Sequence, residues 1–434
     1  MAQPTVVIIG AGFAGLNAAK ALKHVPVNVL MIDQNNYHTF QPLLYQVATS
    51  GLEAGDVAHQ VRATFQTQTN FRFRQGTVTG VDWDAQEILL SGDQRVSFDY
   101  LIVAAGAIYN DFGVPGVKEH GFFLKSLSEA VNIRSHVLKQ FERVNSYPEL
   151  VGEGALNFVI VGGGPTGVEM AGALAELFDL VMPRDFPQVN VFEARVILVE
   201  HAERILGPYT PELSHYTERV LRQRGIDLRL ETSVDKVFAD HVNLSDGTSI
   251  PCNTLIWAAG VRAHPLVEML GVELTRGYRA VVNQDLSIPD RPNAFIVGDM
   301  SGVTDLDGNL YPQVAQVAIQ QGKHAVKQIV HQLKGRPTET FKYLDLGNMA
   351  TIGRSAGIAE LSDLFFNLKF KGRLAWLAWL FLHLMYLVGH QNRVNVFANW
   401  VYNYFTYDRH ARLITEMRPS PGELTNKTGQ IAAD

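Results

Sequence analysis

Short apolar, β-branched runs alternate with helical patterns along most of the chain, and that alternation predicts an α/β architecture. Val6 to Ile9 is fully apolar, as a strand buried on both faces should be. An amphipathic pattern follows to about Val25, and a second apolar run, Val27 to Ile32, ends on Asp33. Gly10, Gly12 and Gly15 stand between the first run and the helix, spaced G-x-G-x-x-G. Strand, glycine turn, helix, strand and acid come in the order a dinucleotide-binding unit needs. Gly10 permits the tight turn, Gly12 lets backbone N–H groups approach a pyrophosphate, and Gly15 lets the helix pack on the strand. Asp33 can accept from a ribose 2′-OH.

The same order returns. Asn157 to Val161 reads as a buried strand, Gly162, Gly163, Gly164 and Gly167 follow, and Val168 to Leu180 is helical. Val196 to Val199 is a strand ending on Glu200, after a proline-bearing insertion from Val181 to Arg195. The run into Gly106 is mirrored by the run into Gly260, so one supersecondary unit is used twice. Arg72 to Leu90 reads as strands with a turn at Gly92-Asp93, and Ser126 to Tyr147 as a helix capped by Ser126 or Ser128. Asn293 to Asp299 is one buried strand too many for the second unit. It returns to the first, so the second domain is inserted in the first, with Asp299 at the carboxyl end of a central strand.

Tyr311 to Leu333 is helical after Pro312, with Gln316 and Gln320 on one face and at least one glutamine expected to be buried. Phe341 to Glu360 reads as a hairpin. Leu374 to Val388 then runs without a charge, flanked by Lys369, Lys371 and Arg373, and Val394 to Tyr407 is rich in aromatic residues. At ~1.5 Å per residue the first of these spans about 22 Å, short of a ~30 Å hydrocarbon core. Two such segments read as an interfacial, monotopic anchor, against a buried helix pair or a dimer interface. Pro42-Leu43-Leu44-Tyr45 is apolar for a loop and is expected to be buried against a ligand or a partner helix.

The fold expected is therefore two Rossmann-like dinucleotide-binding domains, the second inserted in the first, plus a C-terminal hairpin and amphipathic membrane-anchoring helices. The expected divisions are 1–116 and 266–340 for the first domain, 117–265 for the second, 341–417 for the anchor and 418–434 for a disordered tail. The 434 residues suffice for these domains, and a net charge of −6 without a basic block argues against nucleic acid. The single cysteine, Cys252, excludes an intrachain disulfide, a Cys₄ zinc site and an iron–sulfur cluster, and no metal site is expected. The first strand begins so near the start that no leader is expected, which places the catalytic body in the cytoplasm.

Two such units suit FAD in the first and NADH in the second, because Glu200 would accept from a free 2′-OH and repel a 2′-phosphate. Hydride then passes from nicotinamide to flavin. No cysteine pair exists to take the electrons onward, so the acceptor is external, and the apolar terminus suggests a lipid quinone in the bilayer. A soluble reductase feeding a small redox protein is the alternative, and a flavin- and NAD-binding redox sensor is a third reading.

The motifs IIGAGFAG (Ile8 to Gly15), FQPLLYQVA (Phe40 to Ala48), VGGGPTGVEMAGALAEL (Val161 to Leu177), VGDM (Val297 to Met300) and AQVAIQQG (Ala315 to Gly322) resemble those of the type II NADH:quinone oxidoreductases. These are single-subunit, non-pumping respiratory flavoenzymes. The resemblance runs from Val6 to about Tyr407. It implies that Gly10, Gly12, Phe13, Ala14, Gly15, Asp33, Gly106, Asp299 and Ala315 hold FAD. It implies that Gly162, Gly163, Gly164, Gly167, Glu200 and Gly260 hold NADH. Glu169 would serve coupling or proton handling between the two substrates. Gln316 and Gln320 would meet a quinone carbonyl, and Lys371 would lie near the anchor, on quinone or on lipid. The implied setting is the cytoplasmic face of the cell membrane, on the lipid surface, with pairing of the C-terminal helices into a homodimer left open.

Overall fold

The computed structural model describes residues 3–362, 364 and 366–415, so the expected disordered tail lies outside the described residues. The chain forms two compact units, each threaded from three stretches. The first comprises Met1–Thr39, Ala58–Ile108 and Val261–Asp345; the second comprises Phe40–Val57, Tyr109–Gly260 and Leu346–Asp434.

The first unit is built on a six-stranded sheet in the order Ser287–Ile288, Arg291–Ile296, Tyr100–Val103, Thr5–Ile9, Asn28–Asp33, Phe71–Gln75. All its pairings are parallel except that of the edge strand Ser287–Ile288. Val7, Leu101, Val103 and Ile296 are fully buried in its core. The late strand returns as the sequence requires, with Ala294 opposite Leu101. Helix Phe13–Ala21 meets helix Ala315–Leu333 so closely that a Cβ on Gly322 would lie 2.3 Å from the Ala14 carbonyl oxygen.

The second unit repeats this plan. Its parallel sheet runs Phe122–Phe123, Thr254–Trp257, Asn157–Val161, Arg195–Val199, Asp227–Arg229. Each unit also inserts a three-stranded antiparallel meander before its last repeated strand, Val78–Ser97 in the first and Val234–Pro251 in the second. Helix Leu127–Ser146 opens on a capping box in which Ser126, not Ser128, accepts from the Glu129 N–H while the Glu129 carboxylate accepts from the Ser126 N–H.

The units are divided differently from the sequence reading. The chain leaves the first unit after Ile108 and re-enters it at Val261, earlier than the expected cuts at 116 and 265. Residues from Leu346 onward group with the second unit rather than standing as a separate anchor domain, and Phe40–Val57 joins them. The reason is packing. Leu43, Leu44 and Tyr45 are buried, with Tyr45 edge-on to Trp379 of helix Arg373–Tyr386 and Phe40 edge-on to His383. The polar face of helix His390–Thr406 then grips the same segment: Asn392 donates to the carbonyls of Gly55 and Asp56, and Asn403 to that of Gly51. The expected hairpin narrows to Asn348–Thr351 and Gly357–Glu360, joined by a third strand, Lys369–Lys371. Among the described residues, no helix is long and apolar enough to cross a membrane.

Candidate functional site

The glycines of the first turn are there for space. Gly10 has φ +103, and a Cβ on it would lie 2.3 Å from the Ala104 carbonyl oxygen. A Cβ on Gly15 would lie 1.9 Å from the Gly10 oxygen, so only glycine lets helix Phe13–Ala21 reach the strand. Above Gly12 the space is open, and no side chain caps the helix N-terminus. A helix N-terminus without a side-chain cap, facing open space, fits a pyrophosphate. Asp33 accepts from the N–H of Ala11 at 2.7 Å and of Asn35 at 2.7 Å. Burial raises its carboxyl pKa against the lowering effect of these two bonds.

Two buried polar groups beside this turn were not singled out in the sequence. His38 is buried, takes its Nδ1 to the Ala11 carbonyl oxygen at 2.8 Å, and packs edge-on to Phe13. Its Nε2 is buried without a partner. Gln321 accepts from the Gly298 N–H at 2.6 Å, next to Asp299, and its Nε2 is likewise unpartnered. Orphaned buried donors and acceptors of this kind call for a bound group. Gln321 and Gln328, both fully buried, are the glutamines the helix hides, while Gln316 and Gln320 are half-buried. Helix phase explains it: Val317, Gln321 and Ala325 share the inward stripe. Ala14 packs its methyl against Gly298, and Gly106 has φ +76 with open space above it. Ala315 is the first residue of its helix, whose N-terminus has no side-chain cap.

The second unit repeats the geometry. Gly162 has φ +108 and lies against Ala259, Gly164 faces open space, and a Cβ on Gly167 would lie 1.9 Å from the Gly162 oxygen. Helix Pro165–Leu180 has no side-chain cap. Glu200 accepts from the N–H of Gly163 at 2.5 Å and of Ala202 at 2.8 Å, and pairs with His201. Gly260 has φ +67 and is overlain by Phe112, whose ring a Cβ there would strike at 2.6 Å.

Glu169 lies two residues past Gly167 and is buried. It accepts from the Thr351 N–H at 3.3 Å and from the Trp379 indole. Burial nevertheless pushes its carboxyl up to about 8, so it holds a proton at neutral pH. Thr351 Oγ1 lies 3.1 Å from the Tyr45 hydroxyl, Gln46 donates to that hydroxyl at 3.0 Å, and Trp400 donates to Gln46 at 2.7 Å. Tyr45, Gln46, Thr351 and Trp400 line a cavity of about 140 Å³, with Trp376, Arg354 and Arg409 among its other walls. Gln316 and Gln320 are not among the lining residues. Gln316 accepts from the Tyr343 hydroxyl at 3.2 Å, and Gln320 clamps residue Leu344 through both its N–H and its carbonyl, at 2.9 Å each. Lys371 pairs with Glu212 at 2.5 Å.

The two glycine-turn units define an oxidoreductase of the double dinucleotide-binding class. Residues 4–322 match the pyridine nucleotide-disulphide oxidoreductase family, and residues 346–410 match the NDH2 C-terminal domain. The type II NADH:quinone oxidoreductase NdhA of Mycobacterium tuberculosis is 39% identical over 91% of this chain and 86% of its own length. Its counterpart Ndh is 37% identical over 99% of this chain and 94% of its own length. A solved NDH2 from Plasmodium falciparum in complex with NADH has a TM-score of 0.85 at 18% identity, over 95% of this chain and 100% of that one, a likeness of fold. The chain belongs to the type II NADH:quinone oxidoreductases, within the pyridine nucleotide-disulphide oxidoreductase family.

Proposed function

We propose that this chain oxidises NADH at the second unit and reduces a membrane quinone, with the residues in the following roles. The activity is NADH:quinone oxidoreduction, and the cofactor is FAD. FAD, when bound, would supply the two-electron redox chemistry that links nicotinamide to quinone. Gly10, Gly12, Phe13, Ala14, Gly15, Asp33, Gly106, Asp299 and Ala315 hold it, and His38 and Gln321 add buried partners. The open space over Gly12, the uncapped helix and the orphaned His38 and Gln321 nitrogens support this assignment. Gly162, Gly163, Gly164, Gly167, Glu200 and Gly260 hold NADH, and the Glu200 carboxylate selects against a 2′-phosphate.

Glu169 stores a proton on its carboxyl for quinol formation. The burial that raises it to about 8 is the observation that carries this role. Gln316 and Gln320 offer amide N–H groups to a quinone carbonyl, at the cost of their present partners. Lys371 serves quinone or lipid headgroup on leaving Glu212.

The anchor lies on the cytoplasmic face of the membrane. Its support is an exposed apolar stripe on each C-terminal helix, Leu374, Leu377, Phe381 and Met385 on one and Val394, Phe397, Val401 and Phe405 on the other. An exposed terminus that is apolar rather than basic disfavours docking to a small acidic redox protein. The single cysteine, buried and unpaired, accords with a reducing compartment. Homodimer pairing through the same stripes is the competing use of this surface.

The test is NADH oxidation by the holoenzyme with a short-chain quinone, and liposome flotation, for wild type and for Phe381→Glu with Phe397→Glu. The reading expects the variant to keep its flavin reduction and to lose liposome binding and turnover of quinone dissolved in liposomes. Unchanged flotation, with a loss of dimer by sedimentation, assigns the stripes to self-association instead.

A further inference from the structure

Two polar groups in the wall of the second unit's cavity, Arg354 and Asn403, have no role in the function proposed above. Arg354 stands in that wall with its guanidinium 4.0 Å from the ring centre of Tyr404 and 4.1 Å from that of Tyr407. Its one side-chain hydrogen bond goes to the Tyr404 carbonyl, and among the described residues no carboxylate pairs with it. The one acid lining the cavity, Glu176, is already committed. It takes Arg224 at 2.7 Å, Arg409 at 3.2 Å and the Arg354 backbone N–H. Arg409 is half-buried and donates further to the carbonyls of Thr49 and Ala173. The Arg354 head is therefore a cation held by two rings and one carbonyl, with no carboxylate partner among the described residues. Asn403, also in the wall, donates to Gly51 while its Oδ1 is buried without a donor.

A cavity whose wall carries a guanidinium with no carboxylate partner among the described residues, an unfilled acceptor and aromatic rings asks for an anion that also carries a hydroxyl and an apolar body. The wall residues Trp376 and Trp400 lie on the same two helices whose other faces expose the apolar stripes. We propose that this cavity takes the headgroup of an anionic phospholipid, a phosphodiester on Arg354 with a glycerol hydroxyl on Asn403. This rests on the membrane reading above. It adds a specific lipid site to what is otherwise a greasy surface. No residue assigned to FAD, NADH or quinone is needed for it.

The test uses the full-length holoenzyme and the fluorescence of its cavity tryptophans. The titrants are dihexanoyl-phosphatidylglycerol, dihexanoyl-phosphatidylcholine and inorganic phosphate, each below its aggregation threshold. The site predicts a saturable change with the phosphatidylglycerol, a weakening of about tenfold in Arg354→Gln, and little change in Lys327→Gln, an exposed cation paired with Glu339 at 2.5 Å. An equal response to inorganic phosphate alone overturns the lipid assignment in favour of a free-anion site. An equal response to phosphatidylcholine, or wild-type affinity in Arg354→Gln, overturns the site. Flavin reduction by NADH is the folding control, since Arg354 has no part in it. Flotation with neutral liposomes separates the two readings: if it persists without any preference for the anionic lipid, this inference fails and the membrane reading stands.

Discussion

The two dinucleotide units of this chain are near copies in backbone and unlike in what surrounds them. Gly10, Gly12 and Gly15 have the same three jobs as Gly162, Gly164 and Gly167, down to the 1.9 Å approach that excludes a Cβ at the last glycine of each set. Between the first two glycines the copies part. The first unit carries Ala11, buried, with its N–H on Asp33. The second carries Gly163, where a Cβ would meet Ile205 at 2.7 Å and Glu200 at 3.0 Å. Two residues past the last glycine they part again. Asn17 turns back to the Phe13 carbonyl of its own helix, whereas Glu169 is buried against Thr351 and Trp379 from the C-terminal segment. One backbone plan serves both turns, and the packing around it decides which copy also buries an acid against the C-terminal segment.

The most severe way to test the equivalence is to fill the shared tight spots. Gly15→Ala should cost the enzyme its flavin, read from visible absorbance per protein. Gly167→Ala should keep the flavin and lower the rate of its reduction by NADH by about 10- to 100-fold, from overpacking of about 1–3 kcal/mol. If Gly167→Ala also lost flavin, the two units would not be independent sites.

Next comes the buried acid that only the second unit has. An unfolded glutamate gives up its proton near 4.5, while folded Glu169 keeps it to about 8. Between those values the folded state binds more protons, so stability falls as pH rises, by up to about 1.4 kcal/mol per pH unit. Glu169→Gln should flatten that decline, giving a thermal midpoint that drops less between pH 6 and 8 than the wild type's. Quinone turnover by the same variant should fall while its flavin reduction by NADH is kept. A wild-type midpoint that rises over this range would refute the protonated state.

Removing the second acid is expected to act on selectivity. Glu200→Ala should lower kcat/KM for NADH by about 10- to 100-fold, the range for lost charge-assisted bonds, and shift the NADPH-to-NADH ratio upward. The matching Asp33→Ala should instead weaken flavin retention. The mildest contrast is at the divergent position. Gly163→Ala should raise the KM for NADH several-fold, because Ile205 and Glu200 must move, while Ala11→Gly should cost about 0.5–1 kcal/mol of stability with no change in that KM.

The sequence by itself determined the repeated backbone. Glycine spacing, β-branched runs and terminal acids are local requirements, because a left-handed φ or a missing Cβ is fixed by a residue and its immediate neighbours. Hence Gly10, Gly162, Asp33 and Glu200 were legible, as were the return of the Asn293 strand to the first sheet and the helices after Arg373. The burial of Leu43 to Tyr45 was legible too, since a run of apolar residues in a loop must be covered, while Pro42 stays half-buried.

What covers them was not legible, because contacts between residues hundreds of positions apart leave no local pattern. Only the tertiary structure brought Trp379, Thr351 and Tyr45 to Glu169, turned Gln321 rather than Gln316 or Gln320 inward, and tied Lys371 to Glu212. The same limit hid the grouping of residues from Leu346 onward with the second unit. A pKa near 8 on an acid in the first turns of a helix, where the dipole alone would lower it, is decided by the desolvation that distant side chains impose.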